Sequence, residues 1–334
     1  MTVGRCLVVG ALAMACFAAA GPSAAAAPAG RSPSRHLAVL GFQQGGDSPT
    51  LIARDAAALR TVGVDGVNLT PHGRSTTSVP AGTRANRREA HRDNLRAELL
   101  FGNWSSKIND FSEPLAHTML SRRANRDAVA HRLAAIVRRQ HWDGISLDLE
   151  ALRTRDRAGL VDFLSALRAA LPRGRTITIC ISGRTSDARF RAGGYELPRI
   201  APRVDRIEYM TYDEHGPWEN TPGPVGALSW QRDCLRALLR FVPRRKIDLG
   251  VAGYGYAWRP HSNLTLSDRR ARKLAGSHAR WVGGDVGEWT AHLPDGSTLW
   301  WSDARSYRRR ADLARQWRLH GLAVWNLQES DPIR

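Results

Sequence analysis

Apolar positions recur along this chain with two periods, and the two alternate. Leu37 to Phe42 is a short apolar run and predicts a first strand, closed by the turn Gly45-Gly46-Asp47-Ser48-Pro49. Leu51 to Val62 has helical spacing, through Leu51, Ile52, Ala56 and Leu59. Val64 to Leu69 predicts a second strand. Arg74 to Arg92 is polar, carries Pro80 and Gly82, and reads mainly as loop. Leu95 to Phe101 is a third strand, and Asn125 to Gln140 is helical. Gly144 to Leu149 is a fourth strand. A helix from Asp156 to Leu171 follows, with Leu160, Phe163, Leu164 and Leu167 as its apolar stripe. Strands at Thr176–Ile181, Arg206–Tyr212, Lys246–Tyr254 and Gly321–Trp325 complete the series, with helices at Val225–Phe241 and Ser306–Arg318. Strand and helix alternate, and eight strands can be counted. That pattern predicts an α/β fold, a closed (β/α)8 TIM barrel. Residues 258–301 break the repeat and predict a small α+β insertion between strands seven and eight, with a hairpin at Pro294-Asp295-Gly296.

The fourth strand carries the candidate chemistry. Ile145, Leu147 and Leu149 fall on one side, and Ser146, Asp148 and Glu150 on the other. Side chains at i and i+2 on a strand stand roughly 6–7 Å apart at the backbone. Two carboxylates at that spacing can share a proton and push one pKa upward. A third, Asp143, precedes them. Paired acids of this kind suit glycoside chemistry.

Composition narrows the setting. Residues 1–27 read as an export signal: Arg5, an apolar run from Cys6 to Ala20, then Ala24 to Ala27, with cleavage near Ala26 or Ala27. Cys16, preceded by Ala15, makes a lipid anchor the lesser alternative. Residues 28–36 read as a linker, and 37–334 as the barrel. No later stretch is long and apolar enough to span a bilayer, so the chain is not expected to be an integral membrane protein. The formal charge is +18, of which the signal holds only Arg5. It reads either as a solvated arginine-rich surface or as attraction to an anionic partner. No nucleic-acid motif accompanies it, so an acidic cell wall is the expected partner and nucleic acid is not. Cys180 and Cys234 remain after cleavage; a disulfide is permitted outside the cell but its geometry is not legible. No zinc-type cysteine spacing, HExxH pair, phosphate loop or dinucleotide fingerprint is present, so neither metal nor cofactor is expected.

In a closed parallel barrel the catalytic groups gather at the C-terminal strand ends. Here those ends read Asn103-Trp104, Asp148 and Glu150, Met210-Thr211-Tyr212-Asp213, Tyr254-Gly255-Tyr256, and Trp325-Asn326. Carboxylates, phenols and indoles together suit a sugar cleft, and eleven tryptophans supply flat faces for sugar rings.

Asp143-Gly144-x-x-x-Asp148-x-Glu150 resembles the signature of family 18 glycoside hydrolases, the chitinase group. Met210-Thr211-Tyr212-Asp213 looks like that family's strand-six motif, and Trp325 matches its strand-eight tryptophan. Gly223-Pro224-Val225 and Glu329-Ser330-Asp331-Pro332 resemble the bacterial spore-germination and cell-wall hydrolase branch. The resemblance runs from about Leu37 to Pro332. It implies Glu150 as general acid/base, Asp148 as the group that orients and stabilises the substrate's N-acetyl group, Tyr212 as a hydrogen-bond partner of that acetamide, Asp213 lining the subsite and Trp325 as its floor. Asp143, Ser146, Asn103, Trp104 and Tyr254 complete the expected substrate-binding set. Ser146 departs from the family pattern, which often has a second aspartate there. The expected activity is cleavage of β-1,4 bonds next to N-acetylglucosamine in peptidoglycan or chitin-like glycan, by an exported, wall-associated monomer. The competing reading is a catalytically weak or silent, lectin-like barrel; the retained Glu150 favours the enzyme.

Overall fold

Eight of the apolar runs pair into one sheet that closes on itself. The computed structural model describes residues 37–334; the expected export signal, Cys16 and the expected linker lie outside the described residues. The barrel strands are β1 (Ala38–Gln43), β2 (Thr61–Asn68), β3 (Arg96–Gly102), β4 (Gly144–Asp148), β5 (Thr176–Ser182), β6 (Arg206–Met210), β7 (Ile247–Ala252) and β8 (Gly321–Trp325). Each pairs in parallel with its sequence neighbour, and β8 pairs back onto β1, so the fold is a (β/α)8 TIM barrel. The period-two alternation of β4 maps onto two cores. Ile145, Leu147 and Leu149 are buried outward among Val129, Leu133 and Val137 of the helix Arg123–Gln140 and Leu160, Phe163 and Leu164 of the helix Arg157–Ala170. Full burial of each such side chain stabilises by roughly 1.5–3 kcal/mol. Ser146 and Asp148 are buried on the opposite, inner side.

Several stretches differ from the sequence pattern. The expected helix Leu51–Val62 ends at Asp55, and β2 begins at Thr61 rather than Val64. A helix not expected, Glu113–Leu120, follows β3. Residues expected as loop contain the helix Ala81–Arg92. Its inner face is Thr83, Asn86 and Ala90, short or polar residues at helical spacing, so no apolar stripe marks it. The face is satisfied by hydrogen bonds instead: Thr83 donates to the Asp65 carbonyl at 2.8 Å and Asn86 to the Gln44 carbonyl at 3.1 Å. The expected seventh strand also divides. It ends at Ala252, and Tyr254–Trp258 starts a separate sheet. Gly253 is the break: its N–H donates to the Trp325 carbonyl at 2.7 Å, and the chain then leaves the barrel.

That second sheet is the insertion, five antiparallel strands with the helix Asp268–Ala275. It includes the predicted hairpin, Glu288–His292 paired with Thr298–Trp301. Ala257, Leu266, Leu299 and Trp301 form its own small core. A buried ion pair ties it to the barrel. Glu288 of the insertion accepts Arg310 at 2.8 Å, from the helix Ala304–Gln316, and also the N–H groups of Val225 and Gly226 at 2.7 and 3.1 Å.

Cys180 and Cys234 are both buried and free, with no disulfide between them. Among the described residues, no helix is long and apolar enough to cross a membrane.

Candidate active site

The inner side of β4 opens upward into a cavity of 860 Å³ at the C-terminal end of the barrel. Asp148, Glu150, Tyr212, Asp213, Trp104 and Trp325 all line it. Six residues from four strand ends therefore meet in one place.

Asp148 is the last residue of β4 and is buried. Its register partner on β3 is Gly102, where a Cβ would stand 3.1 Å from the Asp148 carbonyl oxygen. Burial first, then the charge of Glu208 and that of Asp65, pushes the Asp148 carboxyl up to about 7. Its Oδ1 is buried with no donor among the described residues. A buried carboxylate oxygen without a donor is poised for one supplied by a ligand.

Glu150 follows two residues later and is held through its backbone. The Asn103 side chain makes both bonds: Oδ1 accepts the Glu150 N–H at 2.9 Å, and Nδ2 donates to the Glu150 carbonyl at 3.0 Å. Nδ2 also donates to the Ser112 carbonyl, which fixes the amide's orientation. The next residue, Ala151, has φ of 57°, a left-handed turn that non-glycine residues rarely adopt. Burial, then the neighbouring charges of Asp148 and Asp213, raise the Glu150 carboxyl well above the ordinary carboxylate range, while Arg184 acts in the opposite direction. The Asp148 charge thus helps hold the proton on Glu150.

Asp213, also at positive φ (62°), takes two phenol donors. Tyr254 and Tyr256 donate to its Oδ1 at 2.5 and 2.7 Å. Both phenols belong to the insertion, so that subdomain reaches over β6 to set this carboxylate. Tyr212 is buried, its hydroxyl pushed upward by burial and by surrounding acids. Trp325 packs on Phe42 with ring centroids 5.3 Å apart and closes the floor. Trp104 is 39 % exposed on one wall, edge-on to Phe111.

The other expected site residues stand elsewhere. Asn103 and Tyr254 sit behind the cavity and act on Glu150 and Asp213. Ser146 is buried deeper in the barrel, where its hydroxyl lies 3.7 Å from Cys180 Sγ. Asp143 is at the other end of β4. It accepts His91 Nε2 at 2.9 Å, Arg175 at 3.0 Å and the Ala97 N–H at 2.9 Å. That is a clamp on the barrel's N-terminal face, so the three carboxylates of the sequence motif do not converge.

Several lining residues were not marked by the sequence: Glu208, Arg184, Asp65 and Trp218. Glu208 and Met210 share the inner side of β6 by the same period of two. That alternation would have found Glu208, had it been applied to β6 as it was to β4. Arg184 lies on the loop after β5, where the buried Tyr209 hydroxyl accepts its N–H at 3.1 Å and donates to its carbonyl at 2.8 Å. Trp218, 64 % exposed, stands edge-on to Tyr256 on the wall formed by the loop after β6.

Comparison with known proteins adds a family match, two relatives and two solved structures. A profile of the family described as Glycosyl hydrolases family 18 matches residues 75–330. The chain is 22% identical over 250 residues to the uncharacterized glycosylase YvbX of Bacillus subtilis, covering 71% of this chain and 72% of that one. It is 27% identical over 244 residues to the cortical fragment-lytic enzyme of the same organism, covering 66% of this chain but only 55% of that relative's length. Among solved structures, a chitinase from Chromobacterium violaceum superposes with a TM-score of 0.78 at 25% identity, covering 88% of this chain and 95% of that one. The spore cortex-lytic enzyme SleL of Bacillus cereus superposes with a TM-score of 0.78 at 18% identity, covering 90% and 72%.

Proposed function

The chain belongs to glycosyl hydrolase family 18 and is a glycosidase, and from that premise we propose that it cleaves β-1,4 bonds next to N-acetylglucosamine with Glu150 as general acid/base. The observation that carries this is the pairing of Glu150 with Asp148 in one cavity, each carboxyl raised by burial and by the other acids around it. A glutamic acid raised in this way holds its proton to higher pH than an ordinary carboxyl, as a general acid needs.

The mechanism proposed is substrate-assisted and retaining. A sugar ring lies over Trp325, its N-acetyl group turned into the pocket bounded by Asp148, Tyr212 and Asp213. The acetamide oxygen attacks the anomeric carbon as Glu150 delivers its proton to the leaving oxygen. The Asp148 oxygen without a donor accepts the acetamide N–H, and its charge balances the positive charge that grows there. Glu150 then takes a proton from water as that water opens the cyclic intermediate. The internal nucleophile is already in place, which gives it a high effective concentration.

The substrate proposed is peptidoglycan or a chitin-like glycan, and the setting proposed is outside the cell. The name of the cortical fragment-lytic relative supports the wall reading, and so do the apolar N-terminal run and the +18 charge. The test is digestion of purified peptidoglycan and of chitooligosaccharides, with mass analysis of the products. Glu150→Gln is expected to lower reducing-end release by at least about a hundredfold, the usual contribution of a general acid, while glycan binding persists. Activity that survives in Glu150→Gln overturns the assignment. Binding without hydrolysis in the natural protein turns the reading to a lectin-like barrel.

A further inference from the structure

Acids line the catalytic cavity from β2, β4, β6 and the loop after β3, whereas cations reach it from one place only. Among the described residues its cationic side chains are Arg184 and Arg189, from the loop after β5 and the short helix Asp187–Ala192. Arg184 stands two residues past the end of β5, as Glu150 stands two residues past the end of β4. The two strands are barrel neighbours, with Leu147 in register with Ile179. Paired strands lie about 4.7–4.9 Å apart, so the chain at Arg184 rises beside the general acid. Its backbone is fixed there. The Tyr209 hydroxyl accepts the Arg184 N–H at 3.1 Å and donates to its carbonyl at 2.8 Å, and the Gly183 N–H donates to the Met210 carbonyl at 2.9 Å. Gly183 allows this close approach, since a Cβ would stand 2.7 Å from the Trp230 ring.

Both guanidinium groups are left largely unspent. Arg184 makes one side-chain bond, Nη1 to the Gly183 carbonyl at 3.0 Å, out of the five N–H donors that a guanidinium carries. Arg189 is exposed. Neither pairs with a carboxylate among the described residues, whereas Arg191 on the same helix meets Asp187 at 3.8 Å. With 49 lysines and arginines against 31 acids, an unpaired arginine on the outer surface is ordinary. Two on one wall of a cavity otherwise lined by carboxylates call for another partner. A chitin chain is neutral and offers them none. In peptidoglycan the sugar next to each N-acetylglucosamine carries a lactyl ether, which ends in a carboxylate or in a peptide stem with carboxylates of its own. We propose that Arg184 and Arg189 are specificity-determining residues that bind a carboxylate on a sugar adjoining the cleaved bond, so that the substrate is the anionic wall glycan rather than chitin. A planar guanidinium takes a carboxylate through two parallel N–H bonds. The proposal rests on Glu150 as the general acid, because the position of Glu150 sets which bond the arginines stand beside.

The test compares kcat/KM on three glycans of equal length: a chitooligosaccharide, a peptidoglycan strand freed of its peptides, and a strand that keeps its stems. The Arg184→Met, Arg189→Met double variant is expected to lower the ratio of wall strand to chitooligosaccharide by at least about tenfold, the worth of one charge-assisted hydrogen bond. A fall on the bare strand assigns the lactyl carboxylate, and a fall only on the strand with stems assigns the peptide carboxylates. Both substrates falling together, with the ratio unchanged, would mean that the arginines serve Glu150 or the loop, and that overturns the proposal. Arg308→Met, Arg309→Met removes two exposed charges from the helix Ala304–Gln316 and is expected to leave the ratio where it is. An equal fall there would assign the effect to the overall charge and overturn the proposal too. Should the double variant at 184 and 189 fail to fold, Arg189→Met, whose side chain is exposed, decides by the same ratio: a fall supports the proposal and an unchanged ratio overturns it. Cleavage of none of the three glycans by the natural protein shows instead that the glycosidase reading of the site has failed.

Discussion

Each carboxyl of the floor is raised for the same first reason, burial, and that has a consequence for stability. A group whose folded pKa lies above its unfolded value stabilises fully below the unfolded value and loses that contribution as pH rises through the folded one. Asp148 and Glu208 move from the ordinary carboxylate range to about 7 and about 8. Their contribution is therefore complete near pH ~4 and is lost between there and pH about 8. Glu208→Gln removes one of the two ionisations. Thermal unfolding measured from pH 5 to pH 9 is expected to show a smaller fall in melting temperature toward alkaline pH in that variant than in the natural protein. An identical slope in both would contradict the burial of an unpaired acid at position 208. The same scale explains Asn103: its value lies in the two backbone bonds that aim Glu150, since an amide offers a separate acceptor and donor atom side by side.

Among the elements, β4 and β8 were legible to within a residue, β4 through its period-two alternation and β8 as a short continuous apolar run. The helix Ala81–Arg92 was not legible, because Thr83, Asn86 and Ala90 bury a polar face through hydrogen bonds. Asp143 and Asp148 are close in sequence, yet a strand of five residues puts them at opposite ends of the barrel. Spacing alone gives no such direction, so Asp143 read as part of the site. The insertion was visible as a break in the repeat, but its reach was not: Tyr254 and Tyr256 set Asp213 from outside the barrel. Its anchor is testable. Arg310→Met leaves Glu288 buried without its cation, and removing one partner of such a pair costs about 3–5 kcal/mol. Chemical denaturation is expected to show a loss of that order, with the Glu288→Leu, Arg310→Met double variant recovering part of it. A negligible loss in the single variant would mean the insertion is held by its other contacts.

At the scale of the whole molecule, charge is segregated. The chain is strongly basic, yet the cavity is lined by Asp65, Asp148, Glu150, Glu208 and Asp213 against Arg184 and Arg189. The basic surface suits attraction to an anionic wall, while the acidic floor suits a reaction in which a neutral sugar becomes transiently positive. The barrel brings these acids together from β2, β4 and β6, and the insertion completes the rim. The central claim is that the substrate's own acetamide is the nucleophile and Glu150 the acid, which requires two inversions at the anomeric carbon. Proton NMR of a chitooligosaccharide digest, recorded before the released sugar equilibrates, tests it most directly. The account predicts an initial excess of the β-anomer; an initial excess of the α-anomer would contradict it.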